Sequence, residues 1–140
     1  MEGLRVRDIM IKEVTTLKRN DKLTLAEDIM QLGRIRHLPV LDDDEKLLVG
    51  MVSQRDLFRG ALARVLGYGE HASRKVLDSL LVKEVMSTDV ITTTPDTPLV
   101  EVARVMMERK IGCLPVVENG SLVGIVTEAD FVAMVARKSG

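Results

Sequence analysis

The sequence predicts a mixed α/β fold of the α+β kind, built from two β-α-β-β-α repeats packed about a pseudo-two-fold axis. Three observations carry this: the chain repeats itself, each copy has a helix-period apolar stripe after a β-branched segment, and each copy closes with a hairpin that runs into a final helix. "VRDIM" at 6–10 returns as "VKEVM" at 82–86, and "RIRHLPVL" at 34–41 returns as "KIGCLPVV" at 110–117. Met10 to Met86 and Pro39 to Pro115 are offsets of 76 residues, whereas Asp56 to Asp130 is 74. The missing two fall between "LPV" and "VG", where "LDDDEKLLVG" becomes the shorter "VENGSLVG". A fixed internal period marks a repeated structural unit. Each half is too small to cover both faces of its own sheet, so the halves are expected to pair.

Each copy opens on an extended segment rich in β-branched residues, "EVTTL" (13–17) and "DVITT" (89–93). A helix follows. Thr97 is its expected N-cap in repeat two, with Pro98 at the first helical position, and Asp21 takes the cap place in repeat one. Leu25, Ala26, Ile29 and Leu32, and then Val102, Ala103 and Met106, fall at spacings that paint one apolar stripe on each helix. The strand "LPV" leads into a hairpin, whose turn in repeat two is Asn119-Gly120, a pair that accepts positive φ at both positions. The returning strands "LLVGMVS" and "LVGIVT" run into helices that begin near Asp56 and Asp130. The repeats are thus 6–62 and 82–137, joined by a helical connector at 63–81. The stretch from Leu57 to Leu80 reads as two helical pieces broken at Gly67-Tyr68-Gly69, with faces left over for a linker role or a dimer surface.

Composition narrows the function. At 140 residues, 46% hydrophobic and 29% charged, the chain is of ordinary globular make-up. Lys plus Arg number 20 against 21 Asp plus Glu, and with no Trp, one Tyr and two Phe there is neither a basic field nor a set of stacking platforms for nucleic acid. The single cysteine, Cys113, excludes an internal disulfide framework and a multi-cysteine metal site, and suits a reducing compartment. No apolar run approaches the ~18 residues of a membrane span and the start lacks the pattern of a signal peptide, so the expectation is a cytoplasmic protein with no membrane association. Two histidines and one cysteine at unrelated positions supply no nucleophile-base pair and no metal set, so no catalytic residue and no metal ligand is assigned, and no enzyme activity is expected. The acidic run "DDDE" (42–45) reads as a solvated turn before a cation site. His71 has no evident partner, and Met30, Met106, Met134 and Cys113 read as core.

In their order, given twice, "DIM…IRHLPVL…LVGMVSQRDL" and "EVM…IGCLPVV…LVGIVTEADF" resemble a tandem pair of CBS domains, the cystathionine-β-synthase type module, here as a stand-alone Bateman-type pair. The resemblance covers roughly 6–62 and 82–137. It implies a regulatory sensor of adenosine ligands such as AMP, ADP, ATP or S-adenosylmethionine, acting on a separate effector protein and dimerising with a second copy. The adenosine nucleotide is then a regulatory ligand and not a catalytic cofactor. The alternative is a structural adaptor with degenerate clefts. An ionised Asp accepts hydrogen bonds at two oxygens and suits the adjacent hydroxyls of a ribose, while a hydroxyl three residues earlier can donate or accept. Ser53 with Asp56 and Thr127 with Asp130 match that pattern, and the same residues also suit plain helix caps. In the family, a cleft takes the Asp of one repeat and adenine contacts from the other. One cleft would then combine Thr127 and Asp130 with Val14, Thr15, Thr16, Ile35, Arg36 and His37. The other would combine Ser53, Arg55 and Asp56 with Ile91, Thr92, Ile111, Gly112 and Cys113. Arg36 and His37 suit a phosphate, so the first cleft is expected to prefer a phosphorylated adenosine. Ala129 stands where Arg55 does, leaving repeat two without that cation.

Overall fold

The computed structural model describes residues 3–65, 75 and 77–139. In chain order its elements are α1 (Val6–Ile9), β1 (Leu17–Lys18), α2 (Leu23–Gly33), β2 (His37–Leu41), β3 (Leu48–Ser53), α3 (Gln54–Val65), α4 (Val82–Val85), α5 (Leu99–Arg109), β4 (Cys113–Glu118), β5 (Ser121–Thr127) and α6 (Glu128–Ser139). This is the α+β arrangement expected from the repeat. The Gly67-Tyr68-Gly69 break and His71 lie outside the described residues.

The chain forms two compact units, Thr15–Val90 and a split one that joins Met1–Val14 to Ile91–Gly140. The opening segment of each sequence repeat therefore packs with the body of the other repeat. The reason lies in the orphan N–H groups at a helix start. Leu99 N donates to Leu4 O (2.9 Å) at the head of α5, and Leu23 N donates to Leu80 O (2.9 Å) at the head of α2. Val6 N returns a bond to Thr97 O (3.0 Å), and Val82 N returns one to Asp21 O (2.8 Å). Backbone from the incoming segment thus does the work expected of a side-chain cap, and both expected caps shift by one residue. Pro98 is the N-cap of α5 and Lys22 that of α2, neither with a side-chain bond. Thr97 instead pairs its hydroxyl with that of Thr94 (2.8 Å), and Asp21 accepts from Lys18 N (2.8 Å) in the preceding turn.

The Thr15–Val90 unit carries a three-stranded sheet, β1-β2-β3, in which β1 runs parallel and β3 antiparallel to β2. The split unit carries the β4-β5 hairpin. Asn119 (φ 53°) and Gly120 (φ 82°) make its two-residue turn, as expected. Both hairpins bulge at the residue before the "VG" glycine, Val49 in one and Val123 in the other. The segments "EVTTL" and "DVITT" form far less strand than their composition suggests. The first contributes only Leu17 to β1, and the second only the single parallel bridge of Thr93 to Val116. Pro39 and Pro115 offer these segments a carbonyl, as in Thr93 N to Pro115 O at 3.0 Å, but no N–H with which to extend the ladder backward. Pro95, standing where Arg19 stands in repeat one, stops it going forward.

Each unit has its own core. Leu23, Ala26 and Met30 of α2 meet Leu38, Val40 and Val52 of the sheet in one, while Val102 and Met106 of α5 meet Val6, Leu114, Val116 and Val126 in the other. The α2 stripe is thus rotated from the expected one, and Leu32 is 87% exposed and Leu25 43%. Starting the helix at Leu23 makes 23, 26 and 30 the repeat that faces the sheet, at three- and four-residue steps. Met134 is also buried. Among the described residues no helix is long and apolar enough to cross a membrane.

The "DDDE" run is a turn. Asp42 Oδ1 accepts from Lys46 N (2.9 Å) and Leu47 N (3.2 Å), which holds its carboxyl below the usual range, and Glu45 pairs with Lys18 (2.9 Å). Among the described residues no three His, Cys, Asp or Glu side chains stand together as a metal-holding group.

Candidate functional site

Two strand-to-helix corners hold the hydroxyl and aspartate pairs. At the first, β3 ends at Ser53 and α3 starts at Gln54. Ser53 N donates to Asp56 Oδ2 (2.8 Å) and Asp56 N donates to Ser53 Oγ (3.1 Å), a reciprocal capping box. At the second, Thr127 N (2.8 Å) and Thr127 Oγ1 (3.1 Å) both donate to Asp130 Oδ2. Ser53, Asp56 and Asp130 thus make capping bonds, while the Thr127 hydroxyl donates to Asp130 instead of accepting from the helix, and one carboxylate oxygen is engaged at each corner. At both corners the capping oxygen is Oδ2 and not Oδ1. Both aspartates are half-buried.

The hairpins decide which other expected residues join each corner. Because β2 and β3 run antiparallel, the start of one lies opposite the end of the other, and His37 pairs with Ser53. Gln54 N donates to Arg36 O (2.9 Å). Cys113 likewise pairs with Thr127, and Glu128 N donates to Gly112 O (3.0 Å). The ladders thus bring Arg36 and His37 to the Ser53–Asp56 corner, and Gly112 and Cys113 to the Thr127–Asp130 corner. The sequence reading grouped them across repeats. Ile35 packs on the core of the Thr15–Val90 unit, while Ile91 and Ile111 pack on that of the split unit. Arg55 is exposed on α3. Val14, half-buried, closes the first segment of the split unit, and Thr15 and Thr16 open the other unit ahead of β1. Thr92 lines a hollow of about 270 Å³ with Thr94, Thr97 and Glu101.

Two residues were missed by the sequence reading. Arg59, one turn beyond Asp56 on α3, shares with it a cleft of about 470 Å³, together with Glu84 and Ser87. Glu128 lies over the start of β4, its carboxylate carbon 3.3 Å from where a side chain on Gly112 would begin. The 74-residue offset that pairs Asp56 with Asp130 also pairs Arg59 with Ala133 and Gln54 with Glu128, and could have exposed both.

Cys113 is 8% exposed. Burial, and then the nearby Asp130 carboxylate, push its thiol up from 9.0 to about 12. Little of the reactive thiolate is then present at neutral pH. Native protein at pH 8 is therefore expected to resist iodoacetamide, with rapid alkylation only in denaturant; equal rates in both states would contradict the burial. The folded thiol keeps its proton to higher pH than the unfolded one. Its contribution to stability is thus complete below about 9 and is lost as pH rises toward 12.

The CBS domain family profile matches residues 6–63 and 82–137, and the chain belongs to that family. Among solved structures it is similar to the CBS domain pair of protein MJ0100 in complex with 5′-methylthioadenosine and S-adenosyl-L-methionine. The identity is 31% and the TM-score 0.77, covering 96% of this chain and 98% of that one. It is similar to CBSX2 in complex with AMP at 27% identity and a TM-score of 0.80, covering 99% and 100%. It is also 30% identical over 131 residues to the homoserine O-acetyltransferase of Methanohalobium evestigatum, covering 93% of this chain and 24% of that protein. The chain spans about two fifths or less of the length of the first curated relatives it matches, at 42%, 33% and 24%.

Proposed function

We propose that this CBS pair is a non-catalytic regulatory module that binds adenosine ligands at its two strand-to-helix corners and transmits their presence to a separate partner. The observation that carries this reading is the doubled corner: a carboxylate anchored through one oxygen, beside a hydroxyl, at the start of a helix of 12 residues. A ribose diol needs a fixed acceptor, and an aspartate already held by the backbone loses little side-chain freedom on accepting it. The helix start adds N–H groups and a favourable dipole for an anion. Pairs of similar fold were solved with AMP and with S-adenosyl-L-methionine, which supports the ligand class. Relatives in which the pair is a minor part of an enzyme support a role in regulating another domain. Regulation requires the ligand to favour one arrangement of the module over another.

A second reading is a structural adaptor with degenerate corners. It draws on the apolar side chains that the final helices expose, Phe58 at 65% on α3 and Val132 at 67%, its equivalent on α6. The same side chains would serve a homodimer in the sensor reading. Thermal unfolding with adenosine, AMP, ADP, ATP and S-adenosylmethionine separates the two. A ligand at 100 times its Kd stabilises by about 2.7 kcal/mol, a rise of roughly 10 °C for a chain of this size. A flat panel would leave the adaptor.

A further inference from the structure

We propose that the two corners divide adenosine ligands by charge: the Ser53–Asp56 corner takes those that carry phosphate, the Thr127–Asp130 corner takes those that lack it, and Arg59 and Glu128 decide. The inference rests on reading both corners as adenosine sites.

Its basis is a position-by-position comparison within each unit. Once the ladders place Arg36 and His37 beside Ser53, four cations that repeat two lacks stand at or next to one corner. Arg36, His37, Arg55 and Arg59 have Gly112, Cys113, Ala129 and Ala133 as their equivalents. In the opposite sense, neutral Gln54 has Glu128 as its equivalent. The charges common to both corners do not discriminate. Arg34 matches Lys110, Asp56 matches Asp130, and Glu84 matches Asp8.

Geometry makes the difference act on the ligand. Arg59 follows Asp56 by three residues on α3, so the two share one helix face, and they line the same cleft of about 470 Å³. A carboxylate holding a ribose diol and a guanidinium one turn along are separated much as a diol is from its own 5′ phosphate, and the guanidinium fork suits phosphate oxygens. The second corner offers the reverse. The Glu128 carboxylate covers Gly112 and the Asp130 carboxylate lies near Cys113, so a phosphate at the start of β4 would meet two like charges. An uncharged 5′ group, or a cationic one, meets no such repulsion.

The experiment isolates one corner at a time. Asp130→Asn leaves the first corner to be titrated and Asp56→Asn leaves the second; each is measured calorimetrically with AMP and with adenosine. The first corner should favour AMP by tenfold or more, with Arg59→Gln in the same background bringing the ratio toward one. The second should favour adenosine by about tenfold, with Glu128→Gln raising AMP affinity several-fold. Arg59 and Glu128 are exposed, so their variants test the idea without disturbing the core. If both corners bind but show the same AMP to adenosine ratio, or if neither glutamine variant moves its ratio, the division by charge is wrong while the adenosine reading stands. If neither ligand binds at either corner, both fail together.

Discussion

Alanine at Gly50 or Gly124 is expected to lower the unfolding free energy by about 1–3 kcal/mol, although neither glycine sits at positive φ. A Cβ on Gly50 would lie 2.7 Å from Met86 Sδ and 2.9 Å from Ser87 O. One on Gly124 would lie 2.9 Å from Met10 Sδ and 3.0 Å from Ile11 O. The sulfur can swing away; the carbonyl cannot. Ser87 is held to Met51 by two backbone bonds of 2.9 Å, and Ile11 to Ile125 by two more of 2.9 Å. Moving the oxygen breaks the bridge that docks the incoming segment on its hairpin. Urea unfolding measures the loss, and hydrogen exchange should show Ile11 and Ile125 losing protection first in Gly124→Ala. Gly33→Ala is the control. There the new Cβ meets only the Ile35 side chain, 3.0 Å away at its flexible Cδ1, near the end of a helix. Lost glycine freedom then decides the sign, and stability should hold or rise by up to about 1 kcal/mol. Equal losses at Gly33 and Gly50 would show that close approach is not what these glycines serve.

The same glycines mark where sequence reasoning stops. That "VG" precedes each corner is plain from the repeat, as are the order of elements, the Asn119-Gly120 turn and the burial of Met106. The exchange of opening segments is not. "VRDIM" and "VKEVM" are so alike that either could dock on either body, and only the chain path shows that Met10 reaches Gly124 while Met86 reaches Gly50. The β-branched runs before β1 and before Thr93 misled for a related reason. Such composition describes fit on a pleated face, whereas pairing depends on the partner's N–H groups, which Pro39 and Pro115 lack. At the site, motif spacing identified the four corner residues. That the antiparallel register sets His37 directly across from Ser53 could be known only from the hairpin itself.

Removing charge from both aspartates, in Asp56→Asn with Asp130→Asn, is expected to weaken adenosine-ligand binding more than a hundredfold while the protein stays folded. Asparagine keeps the size of the side chain and an oxygen able to accept from Ser53 N or Thr127 N, so each cap survives. The helices α3 and α6 lose a favourable carboxylate near their N-termini, about 0.3–1 kcal/mol each. The ligand loses more. A hydrogen bond to a charged group contributes about 1.5–3 kcal/mol, and two of them from one diol exceed the 2.7 kcal/mol that equals a hundredfold. The corners should not respond equally. Asp130 Oδ2 accepts from both Thr127 N and Thr127 Oγ1, whereas among the described residues Asp56 Oδ2 accepts from Ser53 N only. Asp56 therefore has more lone-pair capacity to offer a diol, and Asp56→Asn should cost more than Asp130→Asn for a ligand that visits both corners. Calorimetric titration of each single variant and of the double one, with urea unfolding run alongside, separates grip from fold. Undiminished binding of every adenylate in a folded double variant would move the site away from these corners altogether.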